Sequence, residues 1–238
     1  MKNNNWIKRH PVWTGIIIIF ILIILIGLFF PSEEPKDISN DIIIDKGDFI
    51  VVYNSVETTD LIELEGIIKE SKLFEEVTIE LNKNIALPHD INIAFSECKE
   101  PNAFYNYENK QITMCYELIN YISESFVDEV ETEEELGTVI VHTTLFVFYH
   151  ELGHALINIY QLPITGKEED AVDQLSTLIL AESGEEGEDA VLNGAIWFSL
   201  NSENTRLSES TFADEHSLDI QRFYNLMCWI YGKNPDRH

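Results

Sequence analysis

Residues 148–156 read Phe-Tyr-His-Glu-Leu-Gly-His-Ala-Leu, an H-E-x-x-H motif in an apolar frame. On an α-helix, His150 and His154 lie one turn apart on the same face, so both imidazoles can reach one tetrahedral Zn²⁺ ion. Glu151 stands one residue further round, where it can deprotonate a metal-activated water as general base. The motif predicts a zinc hydrolase site. The alternative is a pair of ordinary histidines on a buried helix.

The third metal ligand has to come from outside this helix. The longer motif H-E-x-x-H-x-x-G-x-x-H is absent, because Ile157 and Tyr160 stand where its glycine and third histidine would be. The next predicted helix opens with Lys-Glu-Glu-Asp-Ala-Val-Asp at 167–173.

Two acids of that segment, Glu169 and Asp173, share one helix face. We expect Glu169 to bind the metal, with Glu168 as its chief rival, and Asp173 to accept a hydrogen bond from a ligand histidine. The alternative is an acidic first turn that the helix dipole favours.

A hydrolase of this kind also needs a hydrogen-bond donor for the oxyanion that forms on the attacked carbonyl. We predict His216 for this catalytic role, ahead of Tyr224, Arg222 and Tyr149. Each of these four residues could instead be a satisfied structural residue.

The N-terminal part of the chain predicts a membrane anchor. Residues 12–30 carry no charge and as a helix would span about 28 Å, close to the thickness of a bilayer's hydrocarbon core. Basic residues precede this segment and acids follow it, so the positive-inside rule places residues 1–11 in the cytoplasm. We therefore expect a single-pass membrane protein with a signal anchor at 12–30, a linker at 31–47 and an extracytoplasmic domain at 48–238. A cleavable signal peptide is the alternative.

The charge of the chain argues against nucleic acid as a partner. The formal net charge is −27, and all 42 acidic side chains follow residue 30. Such a surface repels polyanions and keeps the protein soluble. The sequence leaves the oligomeric state open.

The hydrophobic pattern predicts an α+β fold with a helical C-terminal half. Alternating or β-rich runs indicate strands in a small mixed or antiparallel sheet, at 49–53, 77–81, 91–95, 103–107 and 111–116. Helical periodicity and capping signals indicate helices at 58–73, from 116 to before 132, 132–160, 168–181, 189–201 and 214–231.

Three further features accompany these predicted elements. Thr132 and Glu135 form a capping-box pattern that opens the long helix carrying the motif, and residues 183–189 read as a solvated acidic loop. Cys98 and Cys115 flank a predicted two-stranded ribbon, and an oxidising compartment would permit them to pair, which would leave Cys228 over. Three buried thiols are the alternative.

H-E-x-x-H followed by E-x-x-x-D on the next helix resembles the gluzincin branch of zinc peptidases, the thermolysin-like arrangement. The resemblance implies a zincin-like metallopeptidase fold, with Glu169 as third ligand and Asp173 supporting a histidine. More closely, the chain resembles a family of bacterial metallopeptidases catalogued as a domain of unknown function. The segments that carry this resemblance are 102–105, 112–118, 150–154, 166–170 with 173–174, and 215–224 with 228–232.

The sequence thus predicts a membrane-anchored, zinc-dependent metallopeptidase that acts on protein or peptide substrates. Another possibility is a membrane-tethered binding or scaffold protein that keeps the zincin fold without turnover. A third is a zinc hydrolase that attacks a bond other than a peptide, because the motif reports metal and water chemistry and not the group attacked.

Overall fold

The computed structural model describes residues 44–204 and 216–238 of the chain. All of them belong to one compact unit, Ile43–His238. The predicted anchor at 12–30 lies outside the described residues, as does most of the predicted linker. No helix within the described ranges is long and apolar enough to cross a membrane.

Four strands of the described residues form one mixed sheet in the order β1-β2-β4-β3. Strand β1 pairs in parallel with β2 and β2 in parallel with β4, whereas β3 is antiparallel to β4 and forms an edge. The strands are β1 (Phe49–Tyr53), β2 (Ile91–Ser96), β3 (Ala103–Asn106) and β4 (Gln111–Cys115). The sequence-based prediction of a small mixed sheet is therefore confirmed.

Two helices precede β2, namely α1 (Thr59–Ser71) and α2 (Leu73–Asn84). The strand predicted at 77–81 is wrong, because these residues lie within α2. Their apolar residues alternate, but the buried positions of α2, Phe74, Thr78 and Leu81, recur every three or four residues, which is the helical period. Five residues are too few for alternation to outweigh that pattern.

The remainder of the described chain is helical, which confirms the predicted helical C-terminal half. The helices are α3 (Tyr116–Phe126), α4 (Glu133–Tyr160), α5 (Glu168–Glu182), α6 (Glu185–Asn204) and α7 (Asp219–Lys233). The capping box forms as predicted: Thr132 accepts a hydrogen bond from the backbone of Glu135, and the Glu135 side chain accepts from the backbone of Thr132.

The acidic stretch at 183–189 is not the loop that we predicted. Helix α6 already begins at Glu185, and the chain turns at Gly184, whose φ of +103° favours glycine. Three acids in the first turn of α6 suit the positive end of the helix dipole, so an acidic composition alone did not exclude a helix.

Helix α4 takes part in both hydrophobic cores. Phe148 packs into a core with the sheet, α1 and α2, where Phe95 and Ile112 are fully buried. Phe146, two residues away, belongs to a second core formed with α3, α6 and α7. Burial on both sides holds α4 in place, and with it the motif near its C-terminal end.

A disulfide between Cys98 and Cys115 ties the segment before β3 to the end of β4, which is one of the two alternatives that the sequence leaves open. The third cysteine, Cys228, is exposed on α7.

Candidate metal centre and active-site cleft

The three motif residues of α4 are all buried. His150 is 5% exposed, Glu151 7% and His154 9%. The ring centroids of the two histidines lie 5.0 Å apart, as expected for residues one helical turn apart. Burial of three ionisable side chains on one helix requires partners from another element.

Helix α5 supplies those partners because it lies unusually close to α4. A Cβ atom on Gly153 would stand 2.7 Å from Cγ1 of Val172, so only glycine permits this approach. Glu169, about one turn before Val172, and Asp173, directly after it, are consequently buried against the motif, with 8% and 3% of their surface exposed.

The Glu169 carboxylate lies at the centre of three imidazoles. Its Oε2 atom is 3.1 Å from Nε2 of His150 and 3.1 Å from Nε2 of His216, and its Oε1 atom is 3.3 Å from Nε2 of His154. Yet buried Oε2 accepts no hydrogen bond of proper geometry from any described residue. A buried carboxylate oxygen beside two ring nitrogens, with no hydrogen bond to either, is the arrangement expected of metal ligands.

In each motif histidine, Nε2 faces Glu169 and is called the inner nitrogen, and Nδ1 is called the outer nitrogen. The outer nitrogen of His150 is held by Asp173. Nδ1 of His150 lies 2.8 Å from Oδ1 of Asp173, and Arg222 donates to both oxygens of that carboxylate, from Nε at 2.8 Å and Nη2 at 2.7 Å. Arg222 is itself buried and its guanidinium lies 3.8 Å from the Phe198 ring centroid. Burial would raise the pKa of Asp173, but the His150 contact and the Arg222 charge hold it below its usual range.

The outer nitrogen of His154 is held by Glu168. Oε1 of Glu168 lies 2.8 Å from Nδ1 of His154 and accepts a 3.0 Å hydrogen bond from the Tyr107 hydroxyl. Burial, followed by the bond to Glu168, raises the pKa of Tyr107 to about 12, so the hydroxyl keeps its proton. Of the two rivals for third ligand, Glu169 therefore faces the inner nitrogens and Glu168 the outer nitrogen of one ring.

These contacts determine which ring nitrogens can bind a metal. A neutral histidine that donates from Nδ1 to a carboxylate presents the lone pair of Nε2, and both motif histidines present Nε2 to Glu169. Lone pairs facing a carboxylate repel unless protons or a cation lie between them. Ligand atoms of His150, Glu169 and His216 all lie within 4.8 Å of one another, so one ion can span them. His154 is not part of that group, but its Nε2 lies 3.3 Å from the other oxygen of Glu169. The residues present therefore fit a zinc ion.

In the metal-free protein, the surrounding carboxylates favour the protonated form of the two motif histidines. Burial lowers the pKa of His154, but its contacts with Glu169 and Glu168 outweigh burial and raise the pKa to about 9. The pKa of His150 is raised in the same way, against its burial, by Asp173 and Glu169. Burial would raise the pKa of Glu169, yet the three imidazoles lower it far below the usual range.

The pKa of Glu151 is shifted in the opposite direction to that of Glu169. Its pKa is raised, chiefly by burial and further by the charge of Glu169, while the imidazoles and the backbone N–H of Tyr105 counteract. A carboxylate with a raised pKa is a better proton acceptor, which suits the predicted role as general base.

His216 reaches the centre from the segment before α7. Its backbone carbonyl accepts a 3.1 Å hydrogen bond from Lys167, and the neighbouring Ser217 hydroxyl donates to Asp170 at 2.7 Å. Both partners lie at the start of α5, so the segment with His216 is joined to the helix that carries Glu169. The His216 side chain is 44% exposed, which leaves it accessible to a ligand in the cleft.

A cleft of about 150 Å³ opens beside these groups. Its polar lining comprises Asn102, His150, Glu151, His216 and Arg222, and its apolar lining Pro101, Ala103, Leu118, Phe146, Val147, Trp197 and Phe198. Of the four predicted oxyanion donors, His216 and Arg222 line this cleft. Tyr224 is instead 60% exposed on α7.

Sequence reasoning missed three groups of residues at this site. Nothing in the local pattern marks Tyr107 as a partner of Glu168, Lys167 and Ser217 as anchors of the His216 segment, or Trp197 and Phe198 as walls of the cleft. The sequence indicates Arg222 as an oxyanion donor or a satisfied structural residue, and its two bonds to Asp173 make it the counter-charge of the acid behind His150.

Comparison with known proteins adds one finding. The model of family DUF4344, described as "Putative metallopeptidase", matches residues 53–238. No curated protein and no solved structure matches the chain.

Proposed function

The chain belongs to this DUF4344 metallopeptidase family, and from that membership we propose that it is a zinc-dependent peptidase. We assign His150, His154 and Glu169 as the metal ligands. The observation that carries the assignment is the convergence of imidazole Nε2 atoms, at 3.1 and 3.3 Å, on a carboxylate whose Oε2 lacks any hydrogen bond from the described residues.

When bound there, zinc would lower the pKa of a water molecule and polarise the scissile carbonyl. The chain's own residues do the remaining chemistry. Glu151, beside the ligands on α4, accepts the proton of the attacking water and passes it to the leaving amine. Its burial and raised pKa support this role, because the carboxylate must both accept and return a proton.

We assign His216 as the donor to the oxyanion that forms on the attacked carbonyl. Its Nε2 lies 3.1 Å from the Glu169 oxygen that also faces His150, and the side chain lines the cleft. A donor so close to the ligands can reach an oxygen that reacts at the metal centre. Arg222 holds Asp173 and is thereby committed to His150, which favours His216 for this step.

A peptide suits the cleft because β3 forms one edge of the sheet and packs against α4. An edge strand offers backbone N–H and C=O groups that can pair with an extended peptide. The cleft beside it has apolar walls and a volume of about 150 Å³, comparable to cavities that hold a benzene-sized group. We therefore expect cleavage next to a medium-sized apolar residue.

We further propose that residues 12–30 anchor the enzyme in a membrane, with residues 1–11 in the cytoplasm and the domain at 48–238 outside. The support is the charge-free segment itself and its basic N-terminal flank, Lys2, Lys8 and Arg9. A disulfide between Cys98 and Cys115 suits an oxidising exterior.

Digestion of a peptide library by the full-length chain, with and without a chelator, tests the peptidase. We expect cleavage that the chelator abolishes and that added zinc restores. Cleavage in neither condition would favour the catalytically inactive scaffold, and cleavage that resists the chelator would contradict a metal mechanism.

A further inference from the structure

The Nδ1 atoms of the two motif histidines contact carboxylates that differ in burial and in their further partners. Behind His150 stand Asp173 and the cation Arg222, all buried. Behind His154 stands Glu168, whose side chain is 36% exposed, and its further partner is the neutral hydroxyl of Tyr107. The outer support of His154 thus reaches the protein surface, whereas that of His150 does not.

A single oxygen of Glu168 contacts both His154 and Tyr107. Oε1 of Glu168 is 2.8 Å from Nδ1 of His154 and 3.0 Å from the Tyr107 hydroxyl. Both groups can donate to it, which keeps the proton of His154 on Nδ1 and leaves Nε2 for a metal. The Tyr107 bond also limits the rotation of a half-exposed glutamate that would otherwise have many conformations.

Tyr107 is positioned by contacts within the β3–β4 hairpin and between that hairpin and α4. It follows β3 directly, and its ring packs edge-to-face on Tyr105 with centroids 5.1 Å apart. The side chains of Tyr105 and Lys110 both bond Asn158 on α4, one turn beyond His154, at 3.0 and 2.7 Å. The β3–β4 hairpin is therefore connected to α4 at two points. One is the direct contact with Asn158, and the other runs from Tyr107 through Glu168 to His154.

We propose that Tyr107 and Glu168 are positioning residues for His154, and that they strengthen metal binding through the ring's outer nitrogen. The inference rests on the proposed function in that the metal binds His154 at Nε2. It assigns Glu168 a role other than that of a ligand. It also makes the edge strand, where a peptide would pair, part of the support of the metal centre.

The test measures zinc affinity of the full-length chain by competition with a chelator. Removing a hydrogen-bond partner of a ligand histidine typically costs 10- to 100-fold in affinity, which is the loss expected for Glu168→Ala. Glu168→Gln should lose less, because its amide oxygen still accepts from Nδ1. Tyr107→Phe removes one bond a step further out and should weaken zinc binding about 2- to 10-fold.

Tyr121→Phe is the matched control, since it too removes an exposed tyrosine hydroxyl that donates to a side chain, Asn201 at 2.9 Å. It should leave zinc affinity unchanged. The visible absorption spectrum of the cobalt-substituted protein gives a second readout, which should change in Tyr107→Phe and Glu168→Ala but not in the control.

Three outcomes would overturn the inference. If Tyr107→Phe and Glu168→Ala bind zinc as tightly as the wild type, the two residues do not position His154. If Glu168→Ala loses stoichiometric zinc altogether, Glu168 is a ligand. A wild-type chain that binds no zinc would remove the inference together with the proposed function, whereas the first two outcomes leave that function intact.

Discussion

Oε2 of Glu169 lies 3.1 Å from Nε2 of His150 without a hydrogen bond between them. Because Asp173 occupies the opposite nitrogen of that ring, Nε2 is left to face the carboxylate. A cation between these two groups would remove the repulsion between them.

Glu151→Gln should separate metal binding from catalysis. Glutamine keeps the shape of the side chain but cannot accept a proton, so we expect kcat to fall by about 10²- to 10⁴-fold. Zinc content should remain that of the wild type, because Glu151 is not assigned as a ligand. Metal analysis and peptide-cleavage rates on the same preparation check this. Retained activity would show that another group is the base.

Gly153→Ala should disrupt the centre through packing alone. The new Cβ would lie 2.7 Å from Val172 and push α4 and α5 apart, which displaces Glu169 and Asp173 from the histidines. We expect loss of zinc affinity together with reduced thermal stability.

Gly137→Ala is the control for that variant, because it lies in the same helix and its Cβ would meet nothing within 4 Å. Alanine is the better helix former there, so this variant should be more stable than the wild type by about 0.5–1 kcal/mol and keep its zinc affinity. Equal behaviour of the two variants would contradict the close approach of α4 and α5.

Arg222→Ala should leave Asp173 as a buried carboxylate without its counter-charge. Breaking a buried ion pair from one side typically costs about 3–5 kcal/mol, and denaturant unfolding of the metal-free chain measures this. The double variant Asp173→Ala, Arg222→Ala should be less destabilised than the sum of the single variants. Strict additivity would mean that the pair contributes nothing as a unit.

Zinc binding should depend on pH through His154. Its pKa in the metal-free protein is raised to about 9, and a protonated ring must lose its proton before it binds metal. Zinc affinity should therefore increase with pH up to about pH 9.

The stability of the metal-free chain should change in the opposite direction. A raised pKa contributes stability that is fully present below the unfolded-state value of about 6.5 and is lost as the pH rises through about 9. Chemical denaturation across this range, with His154→Gln as the control that lacks the titrating group, checks the direction. A stability that increases over this window would contradict the assignment.

The features predictable from sequence are those encoded within one or two turns of helix. The motif at 150–154, the pair Glu169 and Asp173, and the capping box at Thr132 all follow from spacing along one element. The prediction of a strand at 77–81 is wrong because a stretch of five residues can fit both the strand period and the helical period. The buried positions over the longer range Leu73–Asn84 follow the helical period.

The supporting contacts could not be predicted because they join residues far apart in the chain. Tyr107 and Glu168 are 61 residues apart, and Asp173 and Arg222 are 49 apart. Whether such side chains meet depends on how β3, α5 and α7 pack around α4. The choice between Glu168 and Glu169 likewise depends on which face of α5 the close approach at Gly153 turns toward the histidines.

The zinc content of the purified full-length chain and of its Glu169→Ala variant, each measured beside Glu168→Ala, tests the ligand assignment most directly. We expect one zinc per wild-type chain, none retained in Glu169→Ala after dialysis, and weakened but stoichiometric binding in Glu168→Ala at saturating zinc. A wild-type chain without stoichiometric zinc would contradict the proposed metal centre, and a Glu169→Ala variant that binds zinc as the wild type does would contradict Glu169 as a ligand.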